Sequence, residues 1–235
     1  MPPVLEIRNI RKNYGALRPL RIRDLSVSQG ERVALMGLDA GAAEVLVNLV
    51  TGATLPDEGE ILAFGRPTSA INSSDEWLSW LDRFGIVSDR AVLLDQLTVE
   101  QNLAVPLTLD IDPISEQHAD AARRLAEEVG LAVTSLATKA GEMPPEVRQR
   151  VRLARALALN PAILLFEHPS ASLTATSAAA FAVDVVRLAE TRNLATLTLT
   201  ADKPFAERMG RRVLNLQPAT GVLQETRGWK AWFAR

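Results

Sequence analysis

Residues 30–52 read GERVALMGLDAGAAEVLVNLVTG, and the order of elements within this stretch decides the fold. A short apolar run, Val33 to Met36, has the length and composition of a buried strand. A loop of small residues follows, Gly37 to Ala42, and then a helix with Val45, Leu46, Leu49 and Val50 at helical spacing. Strand, glycine loop and helix make the frame of a phosphate-binding loop, in which backbone N–H groups and a helix N-terminus face an anion. The residues that would grip the phosphate are missing. The pattern G-x-x-x-x-G-K-[ST] asks for lysine where this chain has Ala43, and for a metal-binding serine or threonine where it has Glu44. The expectation is an intact frame stripped of its chemistry.

The chain around this stretch is 235 residues long, enough to bury a full core. It is 47% apolar and 23% charged, with a formal net charge of −2 and no long basic run, which argues against a nucleic-acid partner. There are no cysteines, so disulfides and thiolate metal sites are excluded. The N-terminal Met-Pro-Pro-Val-Leu-Glu lacks a charged-then-apolar signal pattern. The longest apolar run, Ala156 to Phe166, is broken by Asn160-Pro161 and too short to span a bilayer. A cytoplasmic protein with at most peripheral membrane contact is expected.

Upstream, residues 4–10 and 20–28 read as strands, and the alternation in Leu20-Arg21-Ile22-Arg23 and Leu25-Ser26-Val27-Ser28 predicts a half-exposed antiparallel layer. The turn between them carries Tyr14, the one tyrosine in the sequence. Downstream come a strand at Ile61 to Phe64, a helix from Ser74 to Arg83 and a buried strand at Phe84 to Val87. Residues 97–158 turn helical, with one helix over Ser115 to Val129 and another opened by Pro144-Pro145-Glu146. In the second, Arg148, Arg150, Arg152 and Arg155 read as the polar face opposite Val147, Val151, Ala154 and Leu157. Ala162 to Phe166 has the continuous apolar character of a parallel strand. A helix over Ala178 to Glu190, a strand over Leu194 to Thr200, a short helix at Phe205 to Met209 and a final strand pair complete the order. Strands alternating with helices predict an α/β fold: a parallel-sheet core with an antiparallel subdomain and an inserted helical lobe.

Over nearly its full length the sequence resembles an ATP-binding-cassette (ABC) ATPase domain, nearest the free-standing subunits of lipid and lipoprotein transport machines. The resemblance rests on Gly30-Glu31, Leu49-Val50-Thr51-Gly52, Asp57-Glu58-Gly59-Glu60-Ile61, the segment Leu97 to Asn102, Arg150 to Leu157 and Asn160 to Phe166. It implies a P-loop NTPase (RecA-like) core over about 1–88 and 159–225, a helical subdomain over about 89–158, and a tail from 226 to 235. Each site position that it implies, apart from Tyr14 and Gly37, is altered. Tyr14 falls where an aromatic stacks on adenine. Gly37 stands in the phosphate loop, while around Gly41, itself among the degenerate positions, Ala40, Ala42, Ala43 and Glu44 replace two glycines, the lysine and the hydroxyl. A glutamine bridging metal and membrane partner is implied at Asp89, and the Leu-Ser-Gly-Gly-Gln signature at Met143, Pro144, Pro145, Glu146 and Val147. The metal-orienting and water-polarising acids fall on Glu167 and His168, a loop aspartate on Thr174, and the switch histidine on Ala201.

Loss of the lysine removes a positive charge beside the phosphates and Glu44 adds a negative one. Each is worth roughly 4 kcal/mol at about 4 Å and an effective dielectric of about 20. A micromolar site has only about 8 kcal/mol in all. Pro144 and Pro145 remove two N–H donors from the signature surface. Glu167, His168 and Asp202 show no recognised ligand spacing, so no metal site is expected. The resulting expectation is a pseudo-ATPase without cofactor, a scaffold or regulator paired with a membrane permease subunit and with a second ABC subunit or copy. The alternatives left open are an ATPase with substituted motifs, using ATP and Mg, and a soluble interaction protein on the same fold. Tyr14 reads either as an adenine platform or as a packed turn residue. The aromatic, basic tail Gly228 to Arg235 reads as a docking segment or as a cap on the sheet edge.

Overall fold

The computed structural model describes residues 3–226; the tail expectation lies outside them. The strands are β1 (Pro3–Lys12), β2 (Leu20–Ser28), β3 (Arg32–Met36), β4 (Glu58–Ala63), β5 (Arg66–Pro67), β6 (Phe84–Val87), β7 (Ile163–Glu167), β8 (Ala195–Leu199), β9 (Arg212–Gln217) and β10 (Val222–Glu225). The helices are α1 (Ala40–Val50), α2 (Ser74–Leu81), α3 (Val99–Ala104), α4 (Glu116–Glu128), α5 (Pro145–Leu157), α6 (Ala175–Thr191) and α7 (Lys203–Met209).

Two sheets form. The smaller has the order β2-β1-β4-β5 and is antiparallel, as the alternation in β2 requires: its burial runs buried, exposed, buried, exposed over Leu20 to Arg23. The larger has the order β10-β9-β3-β8-β7-β6, parallel except for the hairpin partner β10 at its edge. β7 divides its side chains between two apolar clusters, as a central strand must. Ile163 and Leu165 pack with α1 and the antiparallel sheet, while Leu164 and Phe166 pack with α5, α6 and the helices between β6 and β7. The parallel strands β3, β8, β7 and β6 end on one edge, where Leu35 pairs with Leu199, Leu199 with Glu167, and Phe166 with Val87. That edge is where an open α/β sheet places its ligand.

Local signals account for the helix starts. Ser115 caps α4 by accepting from the amide of His118, and Thr98 with Gln101 forms a reciprocal capping box on α3. Pro145 occupies the first position of α5, where a missing N–H costs nothing. Two expectations are corrected. The loop expected over Gly37 to Ala42 is only Gly37 to Asp39, because α1 starts at Ala40. Alanine is the best helix former and aspartate a strong cap, so Asp39-Ala40-Gly41-Ala42-Ala43 winds into a turn where glycines would have stayed open. The polar face expected on α5 is also partly covered rather than open. Arg152 and Gln149 are buried, because the loop after β6 folds over that side of the helix and pairs with it.

Candidate functional site

The expected phosphate cradle lies at the end of β3. Gly37 has φ of +89°, and a Cβ there would stand 2.7 Å from the Leu216 carbonyl oxygen, so this turn requires glycine. Beyond it the amides are already in use. The Ala42 N–H donates to Asp39 Oδ1 at 2.8 Å and the Ala43 N–H to the Asp39 carbonyl at 2.9 Å. A carboxylate therefore sits at the positive end of α1, where an anionic ligand would go. Ala43 is fully buried and Ala42 nearly so; their side chains face the core rather than a ligand. Tyr14 reaches the same place, its ring 3.7 Å from where a Cβ on Gly41 would be. Burial, and secondarily the charge of Asp39, push its phenol above the ordinary tyrosine range. Tyr14, Arg18, Arg21, Gly37, Asp39 and Leu216 border a cavity of about 590 Å³.

Arg90, in the loop after β6, was not among the residues singled out from sequence, and it organises the other side. Its Nε lies 3.1 Å from both carboxylate oxygens of Glu167, and its Nη2 lies 2.7 Å from Oε2. Its Nη1 lies 3.4 Å from Glu44 Oε1. The two acids that replace a hydroxyl and an aspartate in the resemblance thus converge on one guanidinium. Hydrogen bonding to Glu167 is the chief reason that Arg90 is held above its ordinary pKa, with the nearby charges of Glu167 and Glu44 adding to it. The side chain of Glu167 is only 8% exposed and depends on this partner.

Asp89, next in the chain, turns the opposite way and pairs with Arg152 Nη1 at 2.9 Å. Burial pushes the Arg152 guanidinium below its ordinary value, and Asp89 opposes that. Asp95 pairs with Arg148 at 2.9 Å, and Arg155 donates to the Val92 carbonyl at 2.8 Å. Met143 packs on the second apolar cluster, Pro144 is the N-cap of α5, and the amides of Val147 and Arg148 donate to the Pro144 carbonyl. Pro145 and Glu146 fill the first turn of that helix. His168 follows β7 in a left-handed conformation, φ +45°, with Nε2 buried and unpartnered among the described residues. Thr174 caps α6, Asp202 caps α7, and Ala201 is exposed just past β8. Among the described residues no group of three or more His, Asp or Glu is placed together as metal ligands would be.

At the positions where the resemblance implies the phosphate anion, the lysine and the metal's acidic neighbours stand the Asp39 carboxylate at the start of α1, the buried methyl of Ala43, and Glu44 and Glu167 paired with Arg90. Arg90 carried no local signal: its partners lie 46 and 77 positions away, and only the fold brings them together.

A family model described as ABC transporter matches residues 20–171. The sulfate/thiosulfate import ATP-binding protein CysA of Caulobacter vibrioides is 28% identical over 89% of this chain, which spans 60% of that protein. The lipoprotein-releasing system ATP-binding protein LolD of Psychrobacter arcticus is 29% identical over 91% of this chain and 96% of its own length. Among solved structures, the dimeric bacterial ABC transporter cassette MJ0796 superposes with a TM-score of 0.78 at 22% identity, over 96% of this chain and 100% of that one. The cbiO1 protein of Clostridium perfringens superposes with a TM-score of 0.82 at 16% identity, over 100% of this chain and 92% of that one. At these identities the structural likeness establishes the fold.

Proposed function

This chain belongs to the ABC transporter family of ATP-binding domains, and from that premise we propose that it is a cassette without nucleotide chemistry, a scaffold or regulatory subunit of a transporter. The carrying observation is the closed cradle: the first turn of α1 is wound and capped by Asp39, and Arg90 sits between Glu44 and Glu167. Phosphoryl transfer rests on positioned cations, donors and a water-orienting base. At those positions stand an acid bonded to the Ala42 amide, a buried methyl at Ala43, two acids paired with Arg90, and His168 with Nε2 buried and unpartnered among the described residues.

The core over about 1–88 and 159–225 and the lobe over about 89–158 are the units of this reading. A membrane permease is its partner, docked in the groove between them. A depression of about 260 Å³ there, bordered by Phe84, Ile86, Ala91, Pro106, Arg155 and Leu159, supports that placement. Among the described residues no helix is long and apolar enough to cross a membrane. The proposed site is thus the inner face of the membrane, reached through the permease, with a second cassette or a second copy alongside. The relatives include a sulfate importer and a lipoprotein-releasing system, so the proposal fixes a role in the machine, with lipid cargo suggested by the LolD likeness.

The test is calorimetric titration of ATP and ADP, with and without magnesium, alongside a turnover assay. No binding below the millimolar range and no turnover is the expected result. Submillimolar affinity would overturn the proposal. The competing reading, a nucleotide-binding cassette with substituted motifs, draws on the cavity beside Tyr14. It requires affinity that is lost in Tyr14→Ala.

A further inference from the structure

We propose that Arg90 is a resident cation that takes the place of a divalent metal between Glu44 and Glu167, and that in doing so it pins the core to the lobe without any ligand. The inference rests on the reading of the cradle as closed to nucleotide, and it adds what holds the site together instead.

Three separate elements meet at Arg90. Glu44 comes from α1, Glu167 from the end of β7, and the guanidinium from the loop leading into the lobe. Ionised carboxylates accept and cannot donate, so two of them converging on one point need a cation between them. A guanidinium supplies five donors in a rigid fork that matches carboxylate geometry. Here it makes three contacts of 3.1 Å or less to Glu167 and a longer one of 3.4 Å to Glu44. A hard divalent ion would need oxygens at about 2.0–2.6 Å, space that the guanidinium fills. The two cations are mutually exclusive.

The same loop is fastened on its other flank. Asp89 and Asp95 pair with Arg152 and Arg148 of α5, each at 2.9 Å, and Arg155 of α5 holds the Val92 carbonyl at 2.8 Å. Arg90 therefore connects the sheet edge to a loop already fixed to the lobe. These charged contacts act beside the apolar cluster that α5 and the helices between β6 and β7 share with β7 and α6.

The experiment is a Mn²⁺ titration of the full chain without nucleotide, followed by the electron paramagnetic resonance signal of free Mn²⁺. Wild type is expected to leave the signal unchanged. Arg90→Ala is expected to bind at least about tenfold more tightly, since a unit positive charge has left the immediate neighbourhood of both acids. Arg90→Ala/Glu44→Gln is expected to lose that gain. Wild type binding Mn²⁺ as tightly as Arg90→Ala, or no gain in Arg90→Ala, would overturn the inference. Arg90→Gln, which retains bulk and hydrogen bonding, takes the place of Arg90→Ala if that variant does not fold. The chain has no cysteine, so spin labels on Leu55→Cys/Val133→Cys report core-to-lobe distance on an otherwise unlabelled protein. One narrow distance is expected, broadened by loss of Arg90; a distribution of the same width in both, narrow or broad, would also overturn it. Nucleotide affinity plays no part in these readouts, so their failure is separate from failure of the scaffold reading.

Discussion

Consider the double variant Ala43→Lys/Glu44→Ser, which returns the missing lysine and hydroxyl to the phosphate loop. Counted as charge alone it is a large repair. Replacing an opposing acid and adding a cation amounts to about 8 kcal/mol at about 4 Å and an effective dielectric of about 20, the whole free energy of a micromolar complex. The geometry predicts otherwise. Ala43 is fully buried on α1, so a lysine placed there points its ammonium into the core until the first turn unwinds. Unwinding also breaks the Asp39 bonds to the amides of Ala42 and Ala43. Loss of an aspartate cap costs about 1 kcal/mol, and glycine for alanine at 40 and 42 up to about 1 kcal/mol each. Relative to a glycine loop, this loop therefore favours the wound form by about 2–3 kcal/mol, a bias that a domain with about 5–15 kcal/mol of stability can lose and still fold. The double variant is expected to melt lower than wild type and to bind no ATP by calorimetry. Adding Asp39→Gly, Ala40→Gly and Ala42→Gly is expected to bring measurable Mg-ATP binding back. Submillimolar binding by the double variant with an unchanged melting temperature would refute the reasoning, because the cradle would then be open already.

The remaining predictions concern stability. Backbone and side-chain hydrogen bonds, with nearby cations, hold three carboxyls below the ordinary range: Asp57 through Asn13 and Lys12, Glu76 through Asn72 and Arg66, and Glu190 through Arg32 and Arg211. A carboxyl whose folded pKa is lowered stabilises the fold above its unfolded value, about 4. That contribution is lost as pH falls through the lower folded values, so melting temperature measured downward from pH 6 is expected to drop most steeply below about pH 4. In Gly85→Ala, a Cβ on β6 would meet Leu164 Cδ2 at 2.4 Å and the Ala156 carbonyl at 2.5 Å, wedging α5 from the sheet. A loss of about 1–3 kcal/mol in denaturant unfolding is expected.

Much of this architecture was legible where a local rule acts alone. Pro144-Pro145-Glu146 announced α5, Ser115 announced α4, and the apolar run through Phe166 announced β7. The start of α1 was misread because two rules compete over the same residues. Gly37 to Glu44 fits the spacing of a phosphate loop, yet Asp39 followed by alanines is also a helix start, and side-chain chemistry decided for the helix. The arginines of α5 fit the period of a polar face; the burial of Arg152 comes from a loop more than 50 positions earlier, folded over it. Arg90 needed three elements assembled before its role could be seen.

The fastening on both flanks of the 88–97 loop has a mechanical corollary. A hinge whose pin is a side chain cannot be withdrawn by a change in cellular energy supply, because nothing diffusible has to leave. On the proposed scaffold reading, a force applied by a neighbour at the lobe would travel to the sheet edge through these contacts rather than through a bound ligand.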